Sequence, residues 1–68
     1  GSKDAVHALI QALEDRDPNV RGIAARALGE IGEEAKDAVP ALIKALQDKH
    51  EYVRVDAEWA LRQIRQKN

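Results

Sequence analysis

The sequence predicts an all-α protein. Ala, Leu, Glu, Lys, Gln and Arg dominate its 68 residues, and these residue types have the highest helix propensities. The apolar residues recur at intervals of three and four, which is the period of an α-helix with one buried face. Asp, Pro and Gly, which start or end helices, fall between the periodic segments. Together the three observations predict short amphipathic helices joined by tight turns.

The chain repeats itself after 33 residues. Shifting the sequence by that distance places Lys3–Ala35 on Lys36–Asn68, with 16 of the 33 aligned positions identical. Self-similarity at such a period is typical of repeat architectures. We predict a single domain, residues 3–68, made of the repeats 3–35 and 36–68. Gly1 and Ser2 are interpreted as the remnant of a removed tag and are excluded from the fold.

Each repeat predicts a pair of helices. Asp4 and Asp37 are predicted to cap the first helix of their repeats, because a carboxylate can accept from free N–H groups of the first turn. Asp17 followed by Pro18 is a typical start for a second helix, and Gly32 is predicted to end it. The four predicted helices span residues 4–15, 18–31, 37–47 and 51–66.

Three local predictions concern packing and turns. Gly29 lies in the last turn of the second helix, where it is predicted to allow close approach of another backbone. Asp48 and Glu51 are predicted to form a capping box for the last helix. The apolar positions predicted to face the core are Val6, Leu9, Ile10, Leu13, Val20, Ala24, Ala27, Leu28, Ile31, Val39, Leu42, Ile43, Leu46, Val53, Ala57, Ala60, Leu61 and Ile64.

Composition narrows the class of protein. The chain has no cysteine, which excludes disulfides and thiolate metal sites. The formal net charge is −1, so no overall field favours nucleic acid or an anionic membrane. No apolar run approaches the roughly 20 residues that a membrane span requires. We expect a soluble protein without nucleic-acid or membrane partners, and a cytoplasmic one if it is natural.

The residues for catalysis or metal binding are missing. The chain has no Cys or Thr, and its single Ser is Ser2, so a nucleophilic triad is not possible. His50-Glu51 is the one candidate metal pair, but it lies in a predicted turn and is not accompanied by the further ligands that a metal needs. His7 is predicted to be a surface residue near a helix start. We therefore predict no enzyme activity, no cofactor and no metal.

The last helix carries two apolar stripes, where a helix packed on one side needs one. The first is the predicted core stripe, and the second consists of Tyr52, Val55 and Trp59, which include the only Tyr and the only Trp. Trp and Tyr dominate the energetics of protein interfaces. The opposing interpretation is that Trp59 folds over its own domain, against neighbours on the Leu61 side or against the second helix. The stripe predicts a binding surface without identifying what is bound.

The segments Asp17–Gly32 and Ala38–Leu46 closely resemble HEAT-like repeats. The nearest types are the short bacterial form related to phycobilin-lyase repeats and the consensus of artificial HEAT-like scaffolds. The resemblance covers nearly all of Lys3–Arg65. It implies an α–α superhelix of two helical hairpins, with the second helices lining a concave face used for protein–protein recognition.

The resemblance also implies which positions make contacts. Those that HEAT-like scaffolds vary fall here at Asn19, Gly22, Ile23, Arg26 and Glu30, and in the second repeat at Tyr52, Val55, Asp56, Trp59 and Gln63. Three differences between the repeats add charge to the second: Asp56, Glu58 and Arg62 replace Ile23, Ala25 and Gly29. We interpret these charges as closing the stack to a third repeat, as terminal repeats of solenoids require. His50-Glu51 replaces Asp17-Pro18, which puts in doubt an Asp–Arg pairing with Arg54.

Two functions remain open. Two repeats are fewer than a solenoid generally needs to bury a continuous core, which favours self-association of a designed or excised module as a homodimer. The alternative is a monomeric scaffold that binds another protein or peptide by the same concave face. For either function the predicted interface residues are Tyr52, Val55, Trp59, Asp56, Gln63, Arg26, Asn19 and Gly22.

Overall fold

The chain folds into helices, in agreement with the predicted fold class. The computed structural model describes residues 1–66, apart from the side chain of Ser2. None of these residues lies in a β-strand. Lys67 and Asn68, the last residues of the second predicted repeat, lie outside the described part. The elements are α1 (Ser2–Ala12), α2 (Pro18–Ile31), a 3-10 helix (Gly32–Ala38), α3 (Val39–Ala45) and α4 (Glu51–Arg65).

The first helix begins and ends earlier than predicted. α1 starts at Ser2 with Gly1 as its N-cap, two residues before the predicted start, so the cap predicted at Asp4 was wrong. The carboxylate of Asp4 instead accepts a hydrogen bond from the terminal amino group of Gly1, at 3.2 Å. At the other end, Asp15 N–H donates to Ala12 O. This i to i−3 bond marks a tightened last turn rather than continued α-helix.

The second helix has the predicted ends. Asp17 is the N-cap of α2, and its Oδ1 accepts from the backbone N–H of Asn19 at 2.9 Å. Pro18 occupies the first helical position, where its missing N–H costs nothing. Gly32 follows the last helical residue with φ +79° and ψ −137°. A β-carbon disfavours this backbone conformation, which explains why a glycine ends the helix.

The predicted linker between the repeats is a 3-10 helix. Its backbone bends at Ala35, with φ −94° and ψ 23°. Ala35 and Ala38 are fully buried and are three residues apart, the spacing that puts two side chains on one side of a 3-10 helix. The cap predicted at Asp37 was wrong, because helical backbone already precedes α3, whose N-cap is Ala38.

The fourth helix starts without the predicted capping box. Its N-cap is His50, which makes no side-chain cap hydrogen bond. The Oδ1 of Asp48 accepts from the N–H of His50 at 2.9 Å, two residues away. That local bond closes the turn before α4, so the carboxylate caps the turn rather than the helix. α4 ends at Arg65 rather than Gln66.

One core joins the helices, and the most extensive packing is between α2 and α4. The predicted core was wrong at Ile43, which is 45% exposed. α3 buries a narrow stripe that includes Leu42 and Ala45, and the next position after Leu42 points away from it. No helix in residues 1–66 combines the length and apolar character needed to cross a membrane. The buried apolar side chains of the described core are Val6, Leu13, Ala24, Ala25, Leu28, Ala35, Ala38, Leu42, Ala45, Val53, Ala57, Ala60, Leu61 and Ile64.

Candidate protein-interaction surface on α2 and α4

Small residues on α2 set the spacing between α2 and α4. Gly22, Ala25 and Gly29 are buried and recur at intervals of three and four, so they form one stripe along the helix. A β-carbon placed on Gly29 would lie 2.6 Å from Cζ3 of Trp59 and 2.9 Å from Cα of Ala60. The close approach predicted at Gly29 is therefore confirmed.

Trp59 is packed against the chain's own helix. One edge of its ring lies over Gly29, and the guanidinium carbon of Arg26 lies 5.3 Å from the ring centroid. This is the range of a cation–π contact. The side chain is half-buried, so Trp59 folds in part over its own domain, and its contact with another chain stays a prediction. A glycine opposite the ring leaves room for it, which is why α4 can bear a tryptophan at this point.

Tyr52 and Val55 are the exposed apolar residues of α4. Tyr52 is 45% exposed and Val55 is 53% exposed. One edge of the Tyr52 ring contacts α2 near Gly22, and its centroid lies 5.6 Å from that of His50. The Tyr52 ring is therefore held at one edge and free at the other. Monomeric proteins rarely expose contiguous apolar patches larger than a few hundred Å2.

Ile23 was missed as a candidate contact residue. It is 70% exposed, the highest fraction among the large apolar side chains of the described chain. It directly follows Gly22, where a β-carbon would lie 3.6 Å from Cδ1 of Tyr52. The resemblance placed Ile23 among the variable positions. The predicted interface did not include it, because the residues of α2 that correspond to the apolar stripe of α4 are Asn19, Gly22 and Arg26. Its apolar character at such a position was the signal that could have identified it.

The other predicted interface residues fall into three groups by exposure. Asn19 and Arg26 are exposed, whereas Asp56 and Gln63 are half-buried. Gly22 is buried, and a β-carbon there would lie 3.1 Å from Oδ2 of Asp56. Gly22 is therefore an internal packing position in the monomer. Asn19 and Arg26 stay available for contacts.

The three charged differences do not share one side of α4. Asp56 contacts α2 near Gly22, and Ala60, one turn later, contacts Gly29. Glu58 and Arg62 each follow these by two residues, which puts them on nearly the opposite side of the helix, and both are exposed. The interpretation that Asp56 closes the end of the stack was wrong. For Glu58 and Arg62, the interpretation that they close the stack to a third repeat stays a prediction.

Arginines hold both turns that precede the long helices. Arg21 Nη1 donates to the carbonyl oxygens of Asp15 and Arg16 at 2.7 and 3.1 Å. Arg54 Nη1 donates to those of Asp48 and Lys49 at the same two distances. Each pair of acceptors lies 33 residues from the other pair. Arg54 thus closes its turn through backbone carbonyls.

Arg21 also joins the two halves of the chain. Its Nε donates to Oδ2 of Asp48 at 2.6 Å, and its Nη2 donates to Oδ1 at 3.1 Å. The hydrogen bond from Arg21 lowers the pKa of Asp48, with a further contribution from the N–H of His50. The same hydrogen bond raises the pKa of Arg21. A two-pronged arginine–carboxylate contact fixes direction as well as distance, so it orients the turn before α4 relative to α2.

The described chain contains no group of three or more His, Cys, Asp or Glu side chains placed to hold a metal ion. His50 and Glu51 are both exposed.

Comparison with known proteins agrees with the helical packing. The model of HEAT repeats matches residues 1–62, which is more than nine-tenths of the 68-residue chain. Comparison with curated proteins gives no match. The family match includes α1, α2, α3 and most of α4, so it takes in the surface described above. The chain belongs to the HEAT repeat family.

Proposed function

We propose that the chain is a non-enzymatic protein-interaction module that self-associates as a homodimer through α4. The interface would contain Tyr52, Val55 and the exposed part of Trp59, with Ile23 of α2 at its edge. Its two 33-residue repeats would form a short solenoid, and the chain would be a designed or excised module.

The observation that carries the proposal is the exposure of large apolar side chains on the long helices. Ile23, Tyr52 and Val55 are between 45% and 70% exposed, whereas no buried side-chain nitrogen or oxygen in the described chain lacks a hydrogen-bond partner. What a partner would cover is therefore exposed apolar surface, and not an unpaired polar side chain in the interior. Burial of apolar area stabilises association by about 25 cal/mol per Å2 before the costs of docking are subtracted.

The repeat arrangement supports a need for a partner. Arg21 reaches from its own turn to Asp48 in the following one, whereas the structure gives Arg54 hydrogen bonds only within its own turn among residues 1–66. A two-repeat stack has an internal neighbour on one side of each repeat only. Repeat proteins are stabilised by such neighbour contacts, and a second copy would supply more of them.

The test is the oligomeric state of the wild-type chain at micromolar concentration. Light scattering coupled to size exclusion should give twice the monomer mass of 7.5 kDa. Substituting Tyr52→Ser together with Val55→Ser should give the monomer mass with unchanged helicity. The matched control is Ile43→Ser, because Ile43 on α3 is as exposed as Tyr52 but lies outside the proposed surface.

A wild-type monomer over the whole concentration range would overturn self-association. The same surface would then be available to a different protein or peptide, and added ligand should change the Trp59 fluorescence. A dimer that the Tyr52 and Val55 substitutions leave intact, while Ile43→Ser dissociates it, would place the interface elsewhere and contradict the proposal.

A further inference from the structure

One stripe of α4 is exposed along its whole length. It consists of Glu51, Val55, Glu58, Arg62 and Arg65, all of which are exposed. The intervals are four, three, four and three residues, which is the spacing of a seam between two packed helices. We call these five residues the outer stripe. It faces away from α2, because Asp56 and Ala60 occupy the side that contacts Gly22 and Gly29.

The positions 33 residues earlier form the seam inside the chain. They are Pro18, Gly22, Ala25, Gly29 and Gly32, of which the middle three are buried. On α2 this stripe carries small residues and packs against α4. On α4 the corresponding stripe carries an apolar residue and four charges, with no helix against it in the described chain.

The charges of the outer stripe are ordered along the helix. The acidic residues Glu51 and Glu58 precede the basic residues Arg62 and Arg65. None of the four belongs to an ion pair within residues 1–66. A second copy of α4 lying antiparallel would place its basic half against the acidic half of the first. Antiparallel helices also bring opposite ends of their macrodipoles together.

We propose that a second copy of this chain docks on the outer stripe about a two-fold axis. The α4 helices run antiparallel, and Glu58 of each copy pairs with Arg62 of the other. This inference rests on the self-association proposed above. It keeps Val55 in the interface, moves the centre of the contact to the side of α4 that faces away from α2, and gives the dimer a symmetry and a register. A two-fold interface uses the same patch on both copies, so a self-complementary stripe is the feature it requires.

Apolar surface lies beside the outer stripe, on the side of Leu46. An open groove of about 400 Å3 is lined by Leu46 and Leu61 together with charged residues of the stripe. A second groove on the same side, nearer the start of α4, is lined by Leu46, Val55 and their neighbours Glu51, Arg54 and Glu58. A helix laid along the stripe would cover both grooves, and it would bury Val55, which also belongs to the proposed interface.

Head-to-tail stacking fits this surface less well. Continuing the stack would set Arg62 where Gly29 lies in the internal seam. Gly29 contacts the ring of Trp59, and the residue 33 positions before Trp59 is Arg26. Arg62 would therefore meet Arg26 of the next copy, a contact between like charges at a position where the internal seam has a glycine. Head-to-tail stacking also leaves an unpaired surface at each end of the assembly, to which further copies can add. The two-fold arrangement instead gives a closed dimer.

The test is charge reversal across the two-fold axis. Glu58→Arg and Arg62→Glu should each weaken the dimer, by about tenfold or more in dissociation constant, because each places like charges opposite one another twice. Mixing the two variants should restore a heterodimer of near wild-type affinity. In the mixture, two basic side chains on one copy face two acidic ones on the other. The double variant Glu58→Arg/Arg62→Glu should also dimerise.

Sedimentation equilibrium on the full chain gives the readout, with helicity checked by circular dichroism. Glu30→Arg is the control for Glu58→Arg, since it makes the same change in net charge at an exposed position of α2. A wild-type monomer overturns both proposals. A dimer that tolerates both reversals, or single variants that fail to rescue one another, overturns the two-fold register alone. Species that grow beyond dimers with concentration would instead support head-to-tail stacking and contradict it.

Discussion

The ring of Trp59 fills the space that a side chain at Gly29 would need. A β-carbon on Gly29 would meet Cζ3 of Trp59 at 2.6 Å and the backbone Cα of Ala60 at 2.9 Å. Contacts this short cannot be relieved by rotating one flexible group, because the second partner is backbone. The distance between α2 and α4, and with it the position of the candidate surface, depends on this glycine.

Gly29→Ala should therefore destabilise the protein. In an unconstrained helix interior the change would stabilise by about 1 kcal/mol. Here α4 must move away from α2, and such overpacking costs about 1–3 kcal/mol, so we expect a net loss. Thermal unfolding at a concentration that gives monomers measures it. An increase in melting temperature would show that the helices separate at little cost.

Gly22→Ala is the matched control for that experiment. Both glycines are buried in α2, but at Gly22 the nearest atoms are Oδ2 of Asp56 at 3.1 Å and Cδ1 of Tyr52 at 3.6 Å. These are ends of side chains that can shift. The gain in helix propensity should then prevail, and we expect Gly22→Ala to be neutral or stabilising by up to about 1 kcal/mol.

Trp59→Ala should lower the stability of the monomer itself. Truncating a buried tryptophan costs about 3–5 kcal/mol, and a half-buried ring whose edge packs on Gly29 should cost about half of that. The loss should be the same at dilutions where no dimer forms. If the unfolding free energy of the monomer did not change, the packing of Trp59 on α2 would contribute nothing and the residue would act only in contacts between chains.

Sequence patterns predicted best what is decided locally. Asp17, Pro18 and Gly32 set the ends of α2 through backbone geometry within a few residues, and those predictions held. The place of Trp59 is decided by Gly29, which lies on another helix. Only the repeat alignment related the two helices. It showed which residues of α2 and α4 are equivalent, but not which residues of one helix contact the other. For the same reason the burial of Trp59 and the side occupied by Asp56 could not be obtained from periodicity.

Two other differences had a physical cause that the patterns do not encode. Ala35 and Ala38 are buried in a 3-10 helix. Over so few residues, the sequence pattern of a 3-10 helix with a period of three cannot be distinguished from that of a polar linker. Asp48 was predicted to cap α4, but the competing partners His50 N–H and Arg21 take its carboxylate. Arg21 is 27 residues away, so the residues near Asp48 in the sequence could not predict this contact.

Gly32→Ala should destabilise through the backbone alone. No atom lies within 4 Å of a β-carbon built there, but φ is +79°. Holding an L-residue in this conformation costs about 1–3 kcal/mol. The mirror image of φ +79° and ψ −137° is an ordinary extended conformation, so D-alanine introduced by chemical synthesis should match or exceed the stability of the glycine. If both alanines were equally destabilising, the loss would come from something other than handedness.

The contact between Arg21 and Asp48 should make stability depend on acid pH. Because Arg21 and His50 N–H lower the pKa of Asp48 in the folded chain, the folded state favours the carboxylate. That stabilisation is fully present above the unfolded-state pKa of about 4. It is lost as the pH falls through the lower folded-state pKa, since the unfolded chain binds a proton first. Arg21 stays protonated throughout this range.

Asp48→Asn isolates this effect. Asparagine keeps an oxygen for the N–H of His50 but removes the charge that Arg21 meets, so at neutral pH the melting temperature should fall by a few degrees. The difference from wild type should stay constant down to about pH 4 and shrink below it. Glu14→Gln is the control, because the pair of Glu14 with Lys44 is exposed and such pairs contribute little. A wild-type melting profile parallel to that of Asp48→Asn at every pH would mean that the carboxylate is not stabilised by Arg21 in the folded chain.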